Sequence, residues 1–266
     1  MKQEKKAALI TGASSGLGAE FARLFASDGV SLVLTSSPRS ESALSELAGE
    51  LRRSFGIEVF TLSVDLAREG AADEIRAYVR QQNIDIDYLV NNAGYGIVGL
   101  KMQDYDRETF LSMLRVNMMA LSELTMLFLP GMVSRKRGAI LNVSSIAGYV
   151  VPHGLEAGYA ASKAYVVSLS EALADDLAGT GVTCTHLAPG PTRTNFFSTA
   201  GLENDRRLKS LYMSAPEVAL AGYKAMKAGK PAVIPGLGNK FMTWAARLSP
   251  SRKLVARLSG RIVSRE

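Results

Sequence analysis

The stretch "GYAASKAY" sets Tyr159 four residues ahead of Lys163 in a run of small residues that reads as helix. Residues at i and i+4 share a helix face, roughly 5–6 Å apart at Cβ. The Lys163 ammonium can therefore stand beside the Tyr159 phenol, and a neighbouring cation favours phenolate and lowers the pKa of the hydroxyl. A general acid that serves an oxygen near neutral pH needs such help, because a free phenol titrates near pH ~10. The same spacing also arises on ordinary helix surfaces, so the elements around the pair must decide between chemistry and surface.

Short β-branched apolar runs alternate along the chain with longer helical patterns. Strands are expected at Ala7 to Thr11, Ser31 to Thr35, Glu58 to Val64, Tyr88 to Asn91, Ala139 to Ser144, Thr183 to Leu187 and Ala232 to Ile234. Helices are expected at Ala19 to Asp28, Ser42 to Phe55, Glu69 to Gln82, Arg107 to Gly131, Ala157 to Gly179 and Pro216 to Ala228, the last opened by a capping-box spacing of Ser214 and Glu217. Strands joined by crossover helices imply an α/β fold: one Rossmann-like, doubly wound domain with a parallel sheet of about seven strands and helices on both faces. No repeat or linker divides it, so residues 1–238 read as one domain and 239–266 as a basic tail.

Composition sets outer limits. Apolar residues make up 47% and charged residues 21% of 266, which fits a globular protein. The apolar run near the N-terminus is too short for a signal peptide, and no 18-residue apolar span is expected to cross a bilayer. The lone Cys184, in "GVTCTHLA", reads as core, and with only His153 and His186 beside it no metal site is expected. Seven basic residues and one acid from Asn239 onward carry the whole net charge of +6, while the preceding chain balances.

The stretch "AALITGASSGLGAEFARLFA" reads as strand, glycine turn and helix. Gly12, Gly16 and Gly18 stand where backbone can approach a diphosphate and a helix N-terminus can receive its charge. Gly12 to Gly16 also satisfies G-x-S-x-G, so a serine hydrolase with Ser14 as nucleophile and His186 in its triad is an alternative. Against it, the chain before Gly12 is too short to hold the earlier strand whose loop supplies that fold's oxyanion donor. Three further stretches fall at strand ends: "NNAG" from Asn91 to Gly94, "NVSS" from Asn142 to Ser145, and "PGPTRT" from Pro189 to Thr194. In an open parallel sheet such loops share one crevice with the glycine turn.

This ordered set, "TGASSGLG", "NNAG", "NVSS", "YAASK" and "PGPTRT", resembles the short-chain dehydrogenase/reductase family over nearly the whole body of the chain. The resemblance implies that Tyr159 is the general acid/base and Lys163 its pKa-lowering neighbour and ribose ligand. It implies that Ser145 holds the substrate oxygen and that Asn117, in "RVNMMA", anchors a proton-relay water. The implied cofactor contacts are Gly12, Ser14, Ser15, Gly16, Leu17, Gly18, Ser36, Ser37, Arg39, Asp65, Leu66, Asn92, Ala93, Gly94, Tyr159, Lys163, Pro189, Gly190, Thr192 and Thr194. Within that set Asp65 would meet the adenine and Thr194 the nicotinamide carboxamide, while Asn91 would support the central sheet. Ser145 and Tyr159 lie 14 residues apart, one more than the family's usual interval, which puts the shape of the intervening loop in doubt more than the roles.

Ser36 and Ser37 occupy the place of the acid that would repel a 2′-phosphate. With Arg39 nearby, NADP(H) is favoured over NAD(H), although Ser15 replaces a basic residue that some NADP-binding relatives carry. Segments such as Tyr95 to Leu100 and Ile146 to Val151 could wall a pocket for a small hydrophobic carbonyl or alcohol, or could be plain core. An NADP(H)-binding sensor without turnover is the remaining alternative. The family resemblance implies a homodimer or homotetramer, paired through the helices Arg107 to Gly131 and Ala157 to Gly179. On a helix from Ser251 to Arg265, Leu254, Leu258 and Ile262 would line up beside Lys253, Arg257, Arg261 and Arg265. That arrangement suits either peripheral membrane contact or packing on the body. No base-reading motif supports a specific nucleic-acid partner. The expected location is cytoplasmic, with the membrane surface as the alternative.

Overall fold

The computed structural model describes residues 6–97, 99–150, 157–194 and 212–249. Its centre is a run of apolar strands. Strand β1 (Ala7–Thr11) is buried along its whole length, as a strand covered on both faces must be. Around it stand β2 (Ser31–Ser36), β3 (Val59–Ser63), β4 (Ile86–Asn91), β5 (Gly138–Val143), β6 (Val182–Leu187) and a two-residue edge strand, β9 (Ala232–Val233). All neighbours pair in parallel, in the order β3-β2-β1-β4-β5-β6-β9. The expected doubly wound sheet of seven strands is therefore present.

Helices cover both faces. On one side α1 (Gly16–Ser27), α2 (Glu41–Phe55) and α6 (Ala215–Lys227) bury Phe21, Phe25, Leu44, Leu51 and Met226 against the sheet. Phe25 and Tyr223 meet edge to face with centroids 4.9 Å apart. The capping box at the start of α6 is formed: Glu217 N donates to Ser214 Oγ, and the Glu217 carboxylate accepts from Ser214 N at 3.1 Å. On the other side lie α3 (Ala71–Gln81), α4 (Arg107–Ser134) and α5 (Ala157–Asp176), burying Ile75, Val79, Leu124 and Met132.

Three features depart from the sequence expectation. Helix α4 is, by length and composition, apolar enough to cross a bilayer, an 18-residue stretch of it having a mean hydropathy of 1.4, contrary to the reading that no such span exists. In the fold it is a layer helix, with Met113, Asn117, Leu124 and Met132 turned inward and Met119 and Met126 exposed. A short parallel pair, β7 (Thr192–Arg193) with β8 (Met213–Ser214), was not foreseen. Nor was α7 (Leu237–Leu248), which runs across the boundary expected at 238/239. Asn239 packs against Gly190 and Thr243 is buried, so α7 lies on the body of the fold. The basic rows expected between Ser251 and Arg265 lie outside the described residues.

β1 leads to α1 and β2 on one side, whereas β4 leads to α4 and β5 on the other. The strand order reverses between β1 and β4, and at their carboxyl ends this switch leaves a crevice.

Candidate active site

The floor of the crevice is the glycine turn. Gly12 at φ +63° and Gly16 at φ +56° adopt left-handed conformations that a side chain would strain. At Gly18 the need is proximity: a Cβ there would stand 2.2 Å from the Gly12 carbonyl oxygen. Thr11 and Asn92 lock this turn to the "NNAG" loop. The amides of Asn92 and Ala93 both donate to Thr11 Oγ1 at 3.0 Å, and Asn92 Nδ2 donates to the carbonyls of Thr11 at 2.8 Å and Gly12 at 3.1 Å. Ser15 caps α1 without a side-chain bond, and the first turn carries no acid. Ser14, Leu17 and the first amides of α1 thus border a positive helix end beside bare backbone, which fits a diphosphate. Thr194 reaches the same turn, since a Cβ at Gly16 would lie 3.2 Å from its Cγ2.

Lys163 is buried at 4% exposure, and its Nζ donates to the Val143 carbonyl at 2.9 Å, at the end of β5. Burial alone pulls its pKa down from the ordinary 10.5 to about 8. The ammonium stands 5.8 Å from the centroid of the Tyr159 ring. Gly94 closes over both Asn117 and Lys163: a Cβ there would meet Asn117 Oδ1 at 2.9 Å and Lys163 Nζ at 3.3 Å. Segments 69 residues apart in the chain, Gly94 and Lys163, therefore meet only because bare backbone permits it.

Asn117 sits in a π-helical turn, Arg115–Ala120, inside α4. Such turns are rare and concentrate at functional sites. Its Oδ1 accepts from Tyr95 N at 3.1 Å, and its Nδ2 donates to Tyr95 O at 2.9 Å and Ser162 Oγ at 3.0 Å. Ser162 in turn donates to the Tyr159 carbonyl at 2.7 Å. Sequence reading missed Ser162, though its place three residues after Tyr159, on the same helix face, was a usable signal. Ser145 caps a short 3₁₀ turn, Ile146–Gly148, accepting from Ala147 N at 3.1 Å. That turn lies on α5, because a Cβ at Gly148 would come 2.7 Å from the Lys163 carbonyl oxygen. Tyr165 faces away, its hydroxyl 2.8 Å from Ser122 Oγ on α4.

Beyond the glycine turn, Ser36 is buried and donates to the Ser37 carbonyl at 3.2 Å, whereas Ser37 and Arg39 are exposed around the turn Pro38–Ser40. Asp65 Oδ1 accepts from Ala67 N at 2.9 Å, next to half-buried Leu66. The Tyr95 phenol has its pKa raised, chiefly by burial, with Ser112 opposing the rise, Asp65 adding to it and Arg39 opposing it. Arg39 and Asp65 are thus both within electrostatic reach of Tyr95. Asn91 Nδ2 donates to Asn142 Oδ1 at 2.9 Å and to Thr125 Oγ1 at 3.1 Å, tying β4 to β5 and α4.

On the far side, Pro189 accepts from Ile146 N at 2.9 Å, so the strand-end loops carrying Ser145 and Pro189 are joined. Thr192 Oγ1 donates to the Gly190 carbonyl at 2.9 Å. Gly190 abuts Asn239 of α7, whose side chain a Cβ would overlap at 2.4 Å. Tyr149 and His186 share a hydrogen bond of 2.5 Å, and Arg247 of α7 lies 4.6 Å over the Tyr149 ring while pairing with Glu171. His186 is therefore engaged with Tyr149 and is not held by Ser14, which removes the triad of the hydrolase reading. His153 and residues 195–211 lie outside the described residues.

A doubly wound parallel sheet whose glycine turn, buried lysine and tyrosine meet at the switch point is the frame of a dinucleotide-dependent oxidoreductase. The chain belongs to the short chain dehydrogenase family, whose model matches residues 6–205. It is 31% identical over 249 residues to the very-long-chain 3-oxoacyl-CoA reductase of Anas platyrhynchos, covering 92% of this chain and 76% of that protein. The reductase of the same name from Bos taurus is 36% identical over 187 residues, covering 68% of this chain but only 58% of its own length. A short-chain dehydrogenase from Sphingobium yanoikuyae, solved in complex with NADPH, superposes with a TM-score of 0.81 at 30% identity over 91% of this chain and 93% of that one. The protein is accordingly an NAD(P)-dependent dehydrogenase/reductase of this family.

Proposed function

We propose that the protein interconverts a hydrophobic carbonyl and the corresponding alcohol with NADP(H), using Tyr159 as general acid/base. The observation that carries this reading is the buried Lys163 ammonium, set against the Val143 carbonyl and facing Tyr159, with burial as the whole cause of its lowered pKa. A bound nicotinamide supplies or accepts the hydride. In reduction, negative charge grows on the carbonyl oxygen, Ser145 donates a hydrogen bond to it, and the Tyr159 hydroxyl gives it a proton. Lys163 favours the phenolate left behind, each pKa unit being worth about 1.4 kcal/mol. Asn117, held by Tyr95 and Ser162, stands behind Lys163 as the anchor for the water that returns the proton.

Gly12, Ser14, Ser15, Gly16, Leu17 and Gly18 would cradle the diphosphate, and Ser36, Ser37 and Arg39 would take the 2′-phosphate. The exposed guanidinium of Arg39 and the lack of an acid at the end of β2 support the choice of NADP(H). Kinship with reductases of very-long-chain 3-oxoacyl-CoA supports a hydrophobic carbonyl. The exposed Met119 and Met126 of α4 and Tyr165 of α5 support a homodimer or homotetramer through these helices. A cytoplasmic location with peripheral membrane contact near the C-terminus completes the proposal, supported by the basic composition after Asn239.

The test follows nicotinamide absorbance across hydrophobic ketones and aldehydes with NADPH and NADH. Turnover with a higher kcat/KM for NADPH, reversed in Ser36→Asp, is expected. An NADH preference in the unmutated protein sinks the cofactor choice, and no turnover on any carbonyl sinks the reaction.

A further inference from the structure

Helix α7 carries its apolar residues on the wrong side for a core helix. Leu237 is 84% exposed, Phe241 68%, Trp244 59% and Leu248 63%. Steps of four, three and four residues put all four on one narrow row. The Phe241 and Trp244 rings lie 6.1 Å apart within it. The opposite face is polar and packs on the body: the Asn239 side chain stands against Gly190, where a Cβ would meet it at 2.4 Å, and Thr243 is buried. The row is thus held outward by a body contact that does not involve it.

Charge narrows the choice of occupant. Lys240 stands beside the row, Arg247 being committed to Glu171, and the sequence from 250 to 266 adds Arg252, Lys253, Arg257, Arg261 and Arg265 against the single acid Glu266. A second copy docking row to row would bring the same positive charge onto itself, because a two-fold interface pairs each patch with its own image. An anionic bilayer offers the opposite sign, and a row of Leu, Phe and Trp beside cations suits the boundary between headgroups and acyl chains. We infer that the outward row of α7 is a docking surface for the headgroup region of an anionic lipid bilayer. Through the Asn239–Gly190 contact, docking would bring the "PGPTRT" side of the crevice towards the lipid, a consequence that rests on the hydrophobic-substrate reading.

Trp244 is the sole tryptophan of the chain, so selectively excited tryptophan emission reports on this surface alone. The full chain is titrated with vesicles of phosphatidylcholine and phosphatidylglycerol at 3:1, and with phosphatidylcholine alone. The expected result is a blue shift of emission on the anionic vesicles, quenching by lipids brominated in the acyl chain, and binding at least tenfold weaker on the neutral vesicles or at 0.5 M salt. Phe241→Ser combined with Leu248→Ser changes two exposed positions and should weaken vesicle binding at least tenfold, with NADPH affinity unchanged. Emission that ignores anionic vesicles overturns the inference. So does emission already blue without lipid that turns red on truncation after Ser249, which would mean that the chain's own end covers the row. A blue shift that follows protein concentration and not lipid would assign the row to a second copy and overturn it equally. Carbonyl turnover is assayed apart, without vesicles, so the failure of the oxidoreductase reading and of the docking surface are told apart.

Discussion

Tyr149 and Tyr159 each have a cation over the ring, and they differ in what that cation is free to do. Arg247 is the nearer, 4.6 Å from the Tyr149 centroid, against 5.8 Å for Lys163 and Tyr159. Yet Tyr149 has its pKa pushed up to about 12, chiefly by burial, with Arg247 lowering it and Glu171 raising it. Arg247 is about half exposed and paired to that Glu171, so its field at the phenol is largely cancelled and screened. Lys163 is buried, without a carboxylate among the causes of its shift, and its charge acts on what faces it. Proximity of a cation does not make a tyrosine an acid catalyst. A cation acts strongly on a facing phenol where it is buried and has no carboxylate of its own beside it.

The largest expected break in this comparison is Tyr159→Phe against Tyr149→Phe. The first should lower kcat at least ~10²-fold, the usual size of a lost general acid, with cofactor affinity nearly unchanged. The second should leave kcat within about threefold, since its hydroxyl is committed to His186. Steady-state kinetics on both variants decide the matter, and equal losses would erase the distinction between the two pairs.

Lys163 comes next. Lys163→Ala should reduce kcat and weaken cofactor binding together. In the cofactor-free protein the buried ammonium is a burden, because its folded pKa of about 8 lies below the ordinary 10.5. Below pH 8 the penalty is present in full, as both folded and unfolded chains hold the proton. Between pH 8 and 10.5 the unfolded chain binds more proton than the folded one, so this group's contribution makes stability rise with pH. Lys163→Met should therefore stabilise the cofactor-free protein at pH 7, by about 1–3 kcal/mol, and remove that rise. Urea melts at pH 7 and pH 10 measure both, and a destabilised Met variant would contradict the account.

Ser162→Ala should have a smaller effect of another kind. It removes the acceptor of Asn117 Nδ2 and the donor to the Tyr159 carbonyl, at a cost of about 1–3 kcal/mol of stability. Turnover should fall more than KM changes, and a variant with wild-type melting and turnover would show that Asn117 needs no such support. The smallest change expected is Glu171→Gln. An exposed ion pair contributes about 0–1 kcal/mol, so melting should barely move, but the Tyr149 phenol should titrate lower once Arg247 is unopposed. Ultraviolet difference titration of the tyrosines reads that shift, and no change would mean that burial alone governs Tyr149.

The chain itself determined the alternation of strands and helices, the glycine turn, the Ser214–Glu217 cap and membership of the family. All of these follow from local rules: side-chain period, backbone conformations open to glycine, and hydrogen bonds within one turn. It also showed that Tyr159 and Lys163 share a helix face. It did not show that Lys163 would be buried, since lysine is among the residues most rarely enclosed. Helix α7 went unread because its apolar row faces out and its inward face is Asn239 and Thr243; periodicity tells which residues share a face, not which face meets the core. The pairing of Tyr149 with His186, 37 residues on, and the closure of Gly94 over Asn117 and Lys163 are contacts between distant segments. Only the tertiary structure could decide them, because such contacts depend on where whole elements come to lie, and no local energy in the chain encodes that.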